Sequence, residues 1–210
     1  MRRYTVYLFD FDGTTFDTRE SLYYVYKDAF AAIGVNDITQ EETDEFMHLS
    51  LLQSIEKRNV PASLLYPFVE AITEVINRPK NIALNEPFPE TAEVLTALHD
   101  RGAIIGFVSG NSVKHIELVF EAKNFPKVSS IIMGSDVYKK GKPHPEPILM
   151  TLERLGIEPS QDVVYVGDSL QDVECSLAAG ISAVFIDRDH LYGQVPGATM
   201  IASLKDLLAE

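Results

Sequence analysis

The chain opens on a run of β-branched and aromatic residues, Tyr4-Thr5-Val6-Tyr7-Leu8-Phe9, which ends in the acidic cluster Asp10-Phe11-Asp12-Gly13. Such a run predicts a buried strand, and Gly13 can turn the chain behind it. From Asp17 the period changes. Leu22, Val25, Tyr26, Ala29, Phe30 and Ile33 fall three or four apart before Gly34, the pattern of a helix with a glycine stop. Thr39-Gln40-Glu41-Glu42 reads as a capping box, with apolar residues at helical spacing continuing through Phe46, Leu49, Leu52 and Ile55. Pro61 opens a further helix carrying Leu64, Leu65, Phe68, Val69, Ile72 and Ile76, and Pro79 argues against its continuation. Residues 18–79 are expected to be helical throughout.

Beyond Phe88-Pro89 the pattern alternates. Helices are expected over 90–101, 112–122, 144–155 and 170–179, and short apolar strands over 103–108, 128–133, 162–166 and 183–186. Alternation of this kind predicts an α/β fold: a doubly wound, mainly parallel sheet covered on both faces. The division that follows is an α/β core of residues 1–16 and 84–210, interrupted after its first strand by a helical insert of residues 17–83. With too few strands to extend the sheet, the insert reads as a small bundle above it, able to act as a lid.

Eighteen Lys plus Arg against 31 Asp plus Glu leave a net charge of −13, which repels phosphate backbones and anionic lipid head groups. Nucleic acid and membrane surfaces are therefore not expected as partners. The single cysteine, Cys175, closes no internal disulfide, and no apolar run approaches the roughly 20 residues of a spanning helix. With no signal peptide or anchor read at the start, a reducing cytoplasm is the expected location. An anionic small-molecule substrate would need a local cation to reverse the potential at its site.

In open parallel sheets, ligands bind beyond the carboxyl ends of the strands, so the informative residues are those just after each strand. Asp10 and Asp12 follow the first strand, Ser109-Gly110-Asn111 the second, and Gly167-Asp168-Ser169 with Asp172 a later one, while Lys142-Pro143 precedes a helix. Asp10, Asp12 and Asp168 gathered together would repel one another unless a hard divalent cation, Mg2+, neutralised them. Asp10 could attack phosphorus to give an aspartyl phosphate, with Asp12 supplying the proton. Ser109 offers a hydroxyl, Gly110 and Asn111 offer backbone N–H groups near the start of a helix, and Lys142 adds a point charge. Each feature alone has a plainer reading, as a turn residue or a solvated charge. Their convergence points to phosphoryl transfer.

The segments Asp10-Phe11-Asp12-Gly13-Thr14, Ser109-Gly110-Asn111, Lys142-Pro143-His144-Pro145 and Gly167-Asp168-Ser169-Leu170-Gln171-Asp172 resemble, in order and spacing, the four motifs of the haloacid dehalogenase-like hydrolase superfamily. The likeness is greatest to its phosphoglycolate phosphatase and beta-phosphoglucomutase branch, which carries a helical cap after the first motif. The resemblance implies Asp10 as nucleophile, Asp12 as general acid and base, and Ser109 and Lys142 as phosphate ligands. It implies Mg2+ held by Asp10, the Asp12 backbone carbonyl and Asp168, with Asp172 supporting the metal or Lys142 and with Thr14 and Ser169 in supporting places. Two departures stand out. Thr15 occupies a position where the branch usually has a bulky aliphatic residue, and Met47-His48-Leu49-Ser50-Leu51 lacks the glycine of the relatives' specificity loop.

The expected activity is Mg2+-dependent hydrolysis of a small phosphorylated metabolite, a phosphoglycolate- or sugar-phosphate-like monoester. A phosphomutase is the related alternative, and a non-enzymatic phospho-acceptor module is the alternative from another class. His48 could reach over the catalytic mouth, although a solvated or packed histidine is the plainer reading. Tyr23, Tyr24 and Tyr26 share the spacing of the apolar stripe and read as packing.

Overall fold

The computed structural model describes residues 2–47, 49 and 51–209. In chain order the strands are β1 (Val6–Phe9), β2 (Phe16–Asp17), β3 (Glu86–Pro87), β4 (Ile104–Val108), β5 (Ser129–Met133), β6 (Val163–Gly167), β7 (Ser182–Ile186) and β8 (Ala198–Ile201). Six of them form one sheet in the order β5-β4-β1-β6-β7-β8, with every pairing parallel. The two remaining strands, β2 and β3, pair antiparallel as a short ribbon.

Helices α1 (Arg19–Ala32), α2 (Gln40–Phe46), α3 (Leu51–Lys57), α4 (Ala62–Ile76) and α5 (Pro79–Ala83) fill the stretch between the two ribbon strands. After them α6 (Thr91–Asp100), α7 (Val113–Ala122), α8 (Glu146–Leu155) and α9 (Leu170–Ala178) alternate with the sheet strands. β1 is buried along its length, as a continuous apolar run in a doubly covered parallel sheet should be. Successive side chains point to opposite faces. Tyr7 and Phe9 join the core under α6 and α7, whereas Val6 and Leu8 join the one under α8 and α9. The helical insert has its own core, in which Tyr26, Phe30, Phe46 and Phe68 meet ring to ring.

The fold class is the doubly wound α/β sheet that the alternation implied. Several details differ from it. The Thr39 capping box forms as expected, but the helix it opens stops at Phe46 and α3 is a separate element. Pro67 lies inside α4, and Pro79 begins α5 instead of merely ending α4, because proline is also favourable at a helix's first position. α8 starts at Glu146 with Pro145 as its N-cap, so Pro143 lies in the preceding loop and not at a helix start. β8, the ribbon and the short 3-10 helix Leu204–Leu208 had no expectation. No helix among the described residues is long and apolar enough to cross a membrane.

The chain leaves the sheet region for the helical insert through β2 and returns through β3, so both crossings sit on one ribbon. Arg188 braces that junction. Its guanidinium donates to Glu90 Oε1 at 2.6 Å and to the Thr14 carbonyl at 2.8 Å, and it lies 3.6 Å from the Phe88 ring centroid.

Candidate active site

From β1 the chain steps to β4 and β5 on one side, then returns to β6, which adjoins β1 on the other. Connections therefore leave β1 and β6 in opposite directions, and the crevice beyond their carboxyl ends is the expected ligand site of such a sheet. Asp10 follows β1, Asp168 follows β6, and Ser109 follows β4. Lys142 reaches the same point from the loop before α8.

Lys142 Nζ lies 2.9 Å from Asp10 Oδ2 and 2.6 Å from Asp172 Oδ1, and 3.2 Å from the Tyr165 hydroxyl. All three charged side chains are almost wholly buried. Burial works to discharge the ammonium, but the Asp10 and Asp172 carboxylates outweigh it and hold its pKa well above the ordinary value. Asp10 Oδ1 accepts the Phe11 N–H at 2.8 Å, which fixes the plane of the carboxylate. Burial, with Asp172, Asp168 and Asp12 nearby, drives the Asp10 carboxyl well up despite Lys142. Asp172 is held by more than its ion pair. As the third helical residue of α9 it closes a capping box, accepting from Ser169 N–H and Oγ–H at 3.0 and 2.7 Å. Gly167 leaves room for it, since a Cβ there would lie 2.4 Å from Asp172 Cγ.

Asp12 turns away from this pair. Its Oδ2 accepts from Asn111 Nδ2 at 2.7 Å, and burial raises its carboxyl above the ordinary range despite hydrogen bonds from Thr18 and Asn111, so it can carry a proton. Ser109 Oγ accepts the Asn111 N–H at 3.1 Å, while its carbonyl accepts from the Tyr138 hydroxyl at 2.9 Å. The Asn111 N–H, expected as one of two backbone donors to phosphate, is thus committed to Ser109. Gly110 faces open space, for a Cβ there would meet nothing within 4 Å. Ser112 caps α7 by accepting the His115 N–H.

Asp168 is fixed by Thr14, whose hydroxyl donates to its Oδ1 at 2.9 Å, and burial with Asp172 close by pushes its carboxyl up to about 7. Gly13 is required here. Its φ is +69°, and a Cβ would lie 2.2 Å from Asp168 Oδ2. One carboxylate oxygen from each of Asp10, Asp168 and Asp172 falls within 4.8 Å of the others, so three sets of hard oxygen donors converge with the Lys142 ammonium paired to two of them, a donor set that suits Mg2+. Asp172 takes the place in this cluster that the sequence reading gave to the Asp12 side chain. Thr15, the departure noted above, donates to the Asp10 and Phe11 carbonyls at 2.9 and 3.1 Å and so closes the loop behind the carboxylates.

Asp10, Asp12, Gly110, Asn111, Lys142, Asp168 and Ser169 line the floor of a cavity of about 460 Å³ roofed by the helical insert, whereas Ser109, Thr14 and Asp172 are fully buried and are not among its lining. His48, expected over the mouth, lies outside the described residues. His115, which the sequence reading set aside for lack of metal-ligand spacing, is buried in the cavity wall. Its Nδ1 is 3.1 Å from Asn77 Oδ1. Asn77 Nδ2 donates to the Thr73 carbonyl, so Oδ1 is the atom turned to the histidine and Nδ1 carries the proton. Burial lowers the His115 pKa to about 4. Tyr138 and Tyr165 were missed. Both hydroxyls bond backbone carbonyls at the end of β4, and neither Tyr165 in its apolar run nor Tyr138 before a pair of lysines carries a sequence signal of that.

Residues 7–186 match the haloacid dehalogenase-like hydrolase family. Phosphoglycolate phosphatase from Salmonella typhi is 36% identical over 108 residues, which cover 51% of this chain and 42% of that protein. The chain thus spans under half the length of the relative it matches. A structure from Bacteroides fragilis described as a haloacid dehalogenase-like hydrolase superposes with a TM-score of 0.88 at 27% identity, covering 98% of this chain and 100% of that one. CbbY from Rhodobacter sphaeroides, solved in complex with phosphate, superposes with a TM-score of 0.81 at 22% identity, covering 97% and 96%.

Proposed function

The chain belongs to the haloacid dehalogenase-like hydrolases, and on that footing we propose that it is a Mg2+-dependent phosphatase acting on a small phosphorylated metabolite through an aspartyl phosphate. The observation that carries this reading is the buried junction of Asp10, Lys142 and Asp168 at the crevice between β1 and β6. Residues 1–16 and 84–210 act in it as the catalytic core and residues 17–83 as a cap that excludes bulk water.

Asp10, oriented by the Phe11 N–H and Lys142, attacks phosphorus. The new bond joins its carboxylate oxygen to phosphorus as the bond to the substrate's alcohol oxygen breaks, and Asp12 delivers its proton to that oxygen. Water then attacks the same phosphorus, Asp12 takes back a proton, and the Asp10 carboxylate leaves as phosphate is released. Ser109 Oγ–H, the Gly110 N–H and Lys142 hold the phosphoryl oxygens. Asp10, Asp168 and the Asp12 carbonyl would hold Mg2+, which neutralises charge on the phosphoryl group and relieves the repulsion among the carboxylates. Asp172 serves Lys142 through Oδ1 and is held at Oδ2 by Ser169. Thr14 positions Asp168, and Ser169 positions Asp172. The lone buried Cys175 fits a reducing cytoplasm.

Phosphate release from a panel of monoesters, with Mg2+ and with a chelator, tests the proposal. Turnover should require the metal and vanish in Asp10→Asn. Full activity in that variant would refute the mechanism.

A further inference from the structure

Among the described residues, the cap side of the cavity is mainly apolar. Val25, Phe46, Met47, Leu49, Ile72 and Ile76 lie along it, and the few polar groups among them are satisfied within the protein. Thr73 Oγ1 donates to the Val69 carbonyl at 2.7 Å, the Tyr26 hydroxyl to Ser54 Oγ at 3.3 Å, and Asn77 bonds the Thr73 carbonyl and His115. The charged residues among the described lining are Asp10, Asp12, Asp168 and Lys142, and Lys142 already faces two carboxylates. Beyond the phosphoryl position, the described walls therefore offer no cation to a second anionic group, and the polar side chains Ser112, His115, Ser135 and Gln171 come from elements of the sheet region, leaving the cap side with little to offer a set of hydroxyls.

Resting on the phosphatase reading, we infer that the substrate is a phosphomonoester of an uncharged, largely apolar alcohol, with its aromatic or branched aliphatic body packed beneath the cap. A carboxylate placed there would lose its water without gaining a partner, and sugar hydroxyls would be desolvated for few hydrogen bonds. The volume agrees. About 460 Å³ falls within the roughly 300–1,000 Å³ of pockets that enclose drug-sized ligands, far more than a two-carbon acid fills. The chain thus parts from the substrate that its phosphoglycolate phosphatase relative is named for.

The test compares kcat/KM for benzyl phosphate, phosphoglycolate and a pentose phosphate, all esters of primary alcohols, so that leaving-group chemistry is similar and cap recognition decides. Benzyl phosphate should exceed the other two by at least about 100-fold, the scale at which desolvated groups left unpaired discriminate. Leu52 lines the cavity yet is 64% exposed, so Leu52→Lys can add a cation without disturbing the cap core. It should narrow the ratio of benzyl phosphate to phosphoglycolate by about tenfold or more. Turnover in which phosphoglycolate or the pentose phosphate equals benzyl phosphate, or a ratio unmoved by Leu52→Lys, would overturn this inference alone. No hydrolysis of any of the three would overturn the phosphatase reading and this inference with it.

Discussion

Lys142→Met removes the one ammonium that Asp10 and Asp172 share while keeping most of the side chain's volume. The pairs are 2.9 and 2.6 Å long, and the side chains of Lys142, Asp10 and Asp172 are 13%, 9% and 2% exposed. Water can do little to replace the lost partner. Breaking a buried pair from one side costs about 3–5 kcal/mol, because the remaining charge is stranded, and for a chain of this length that shifts Tm by on the order of 10 °C. The sign with pH follows. In the wild type Lys142 titrates well above its ordinary value, so its contribution is complete at neutral pH and is lost only as pH rises through that elevated value. In the variant the deficit comes from ionised carboxylates, led by Asp10, whose carboxyl burial already raises. Acidification protonates the Asp10 carboxyl in the native state and shrinks the deficit. Urea unfolding with a chelator present, at pH 8 and pH 5, should show the full loss at the higher pH and a smaller one at the lower. A loss under about 1 kcal/mol at pH 8, or one that grows on acidification, would refute the electrostatic reasoning.

Two further outcomes follow from the same site. Gly13→Ala meets both a left-handed φ of +69° and Asp168 Oδ2 at 2.2 Å; it should cost about 1–2 kcal/mol in urea unfolding and at least about 100-fold in phosphate release as Asp168 is displaced. His115, held neutral to about pH 4 against an ordinary 6.5, binds fewer protons folded than unfolded, so its share of stability is present above about pH 6.5 and is lost as pH falls through about 4. His115→Gln should remove up to about 3 kcal/mol of that acid sensitivity, measured as the difference between the two proteins' unfolding free energies across the window; parallel curves would contradict the assignment.

Strands β1, β4, β6 and β7 were legible because each buries a mainly apolar run, β5 was legible from its Ile131-Ile132-Met133 end, and the candidate site was legible because its motifs fall at or near strand ends. Elements of weak burial escaped. Ala198–Ile201 is half-covered at the sheet edge, and the ribbon has two residues a side, one of them Pro87. Pro79 was read as a stop because proline ends and begins helices with the same geometry. The contact of Asn77 with His115 joins residues 38 apart from different layers, and no local pattern encodes that. The resemblance left Asp172 to support either the metal or Lys142, and its pairing with Lys142 follows once α9 sets its capping box against the loop before α8.

Trapping the covalent intermediate tests the central claim most directly. An aryl phosphate needs little acid help to lose its leaving group, whereas water attack on the acyl phosphate still needs Asp12 as base, so Asp12→Asn quenched in acid during turnover should hold phosphate. Peptide mass analysis should find one phosphoryl group on the segment containing Asp10, and none when Asp10→Asn is added. Phosphate release by wild type with no trapped species in Asp12→Asn, and with activity surviving Asp10→Asn, would contradict the account.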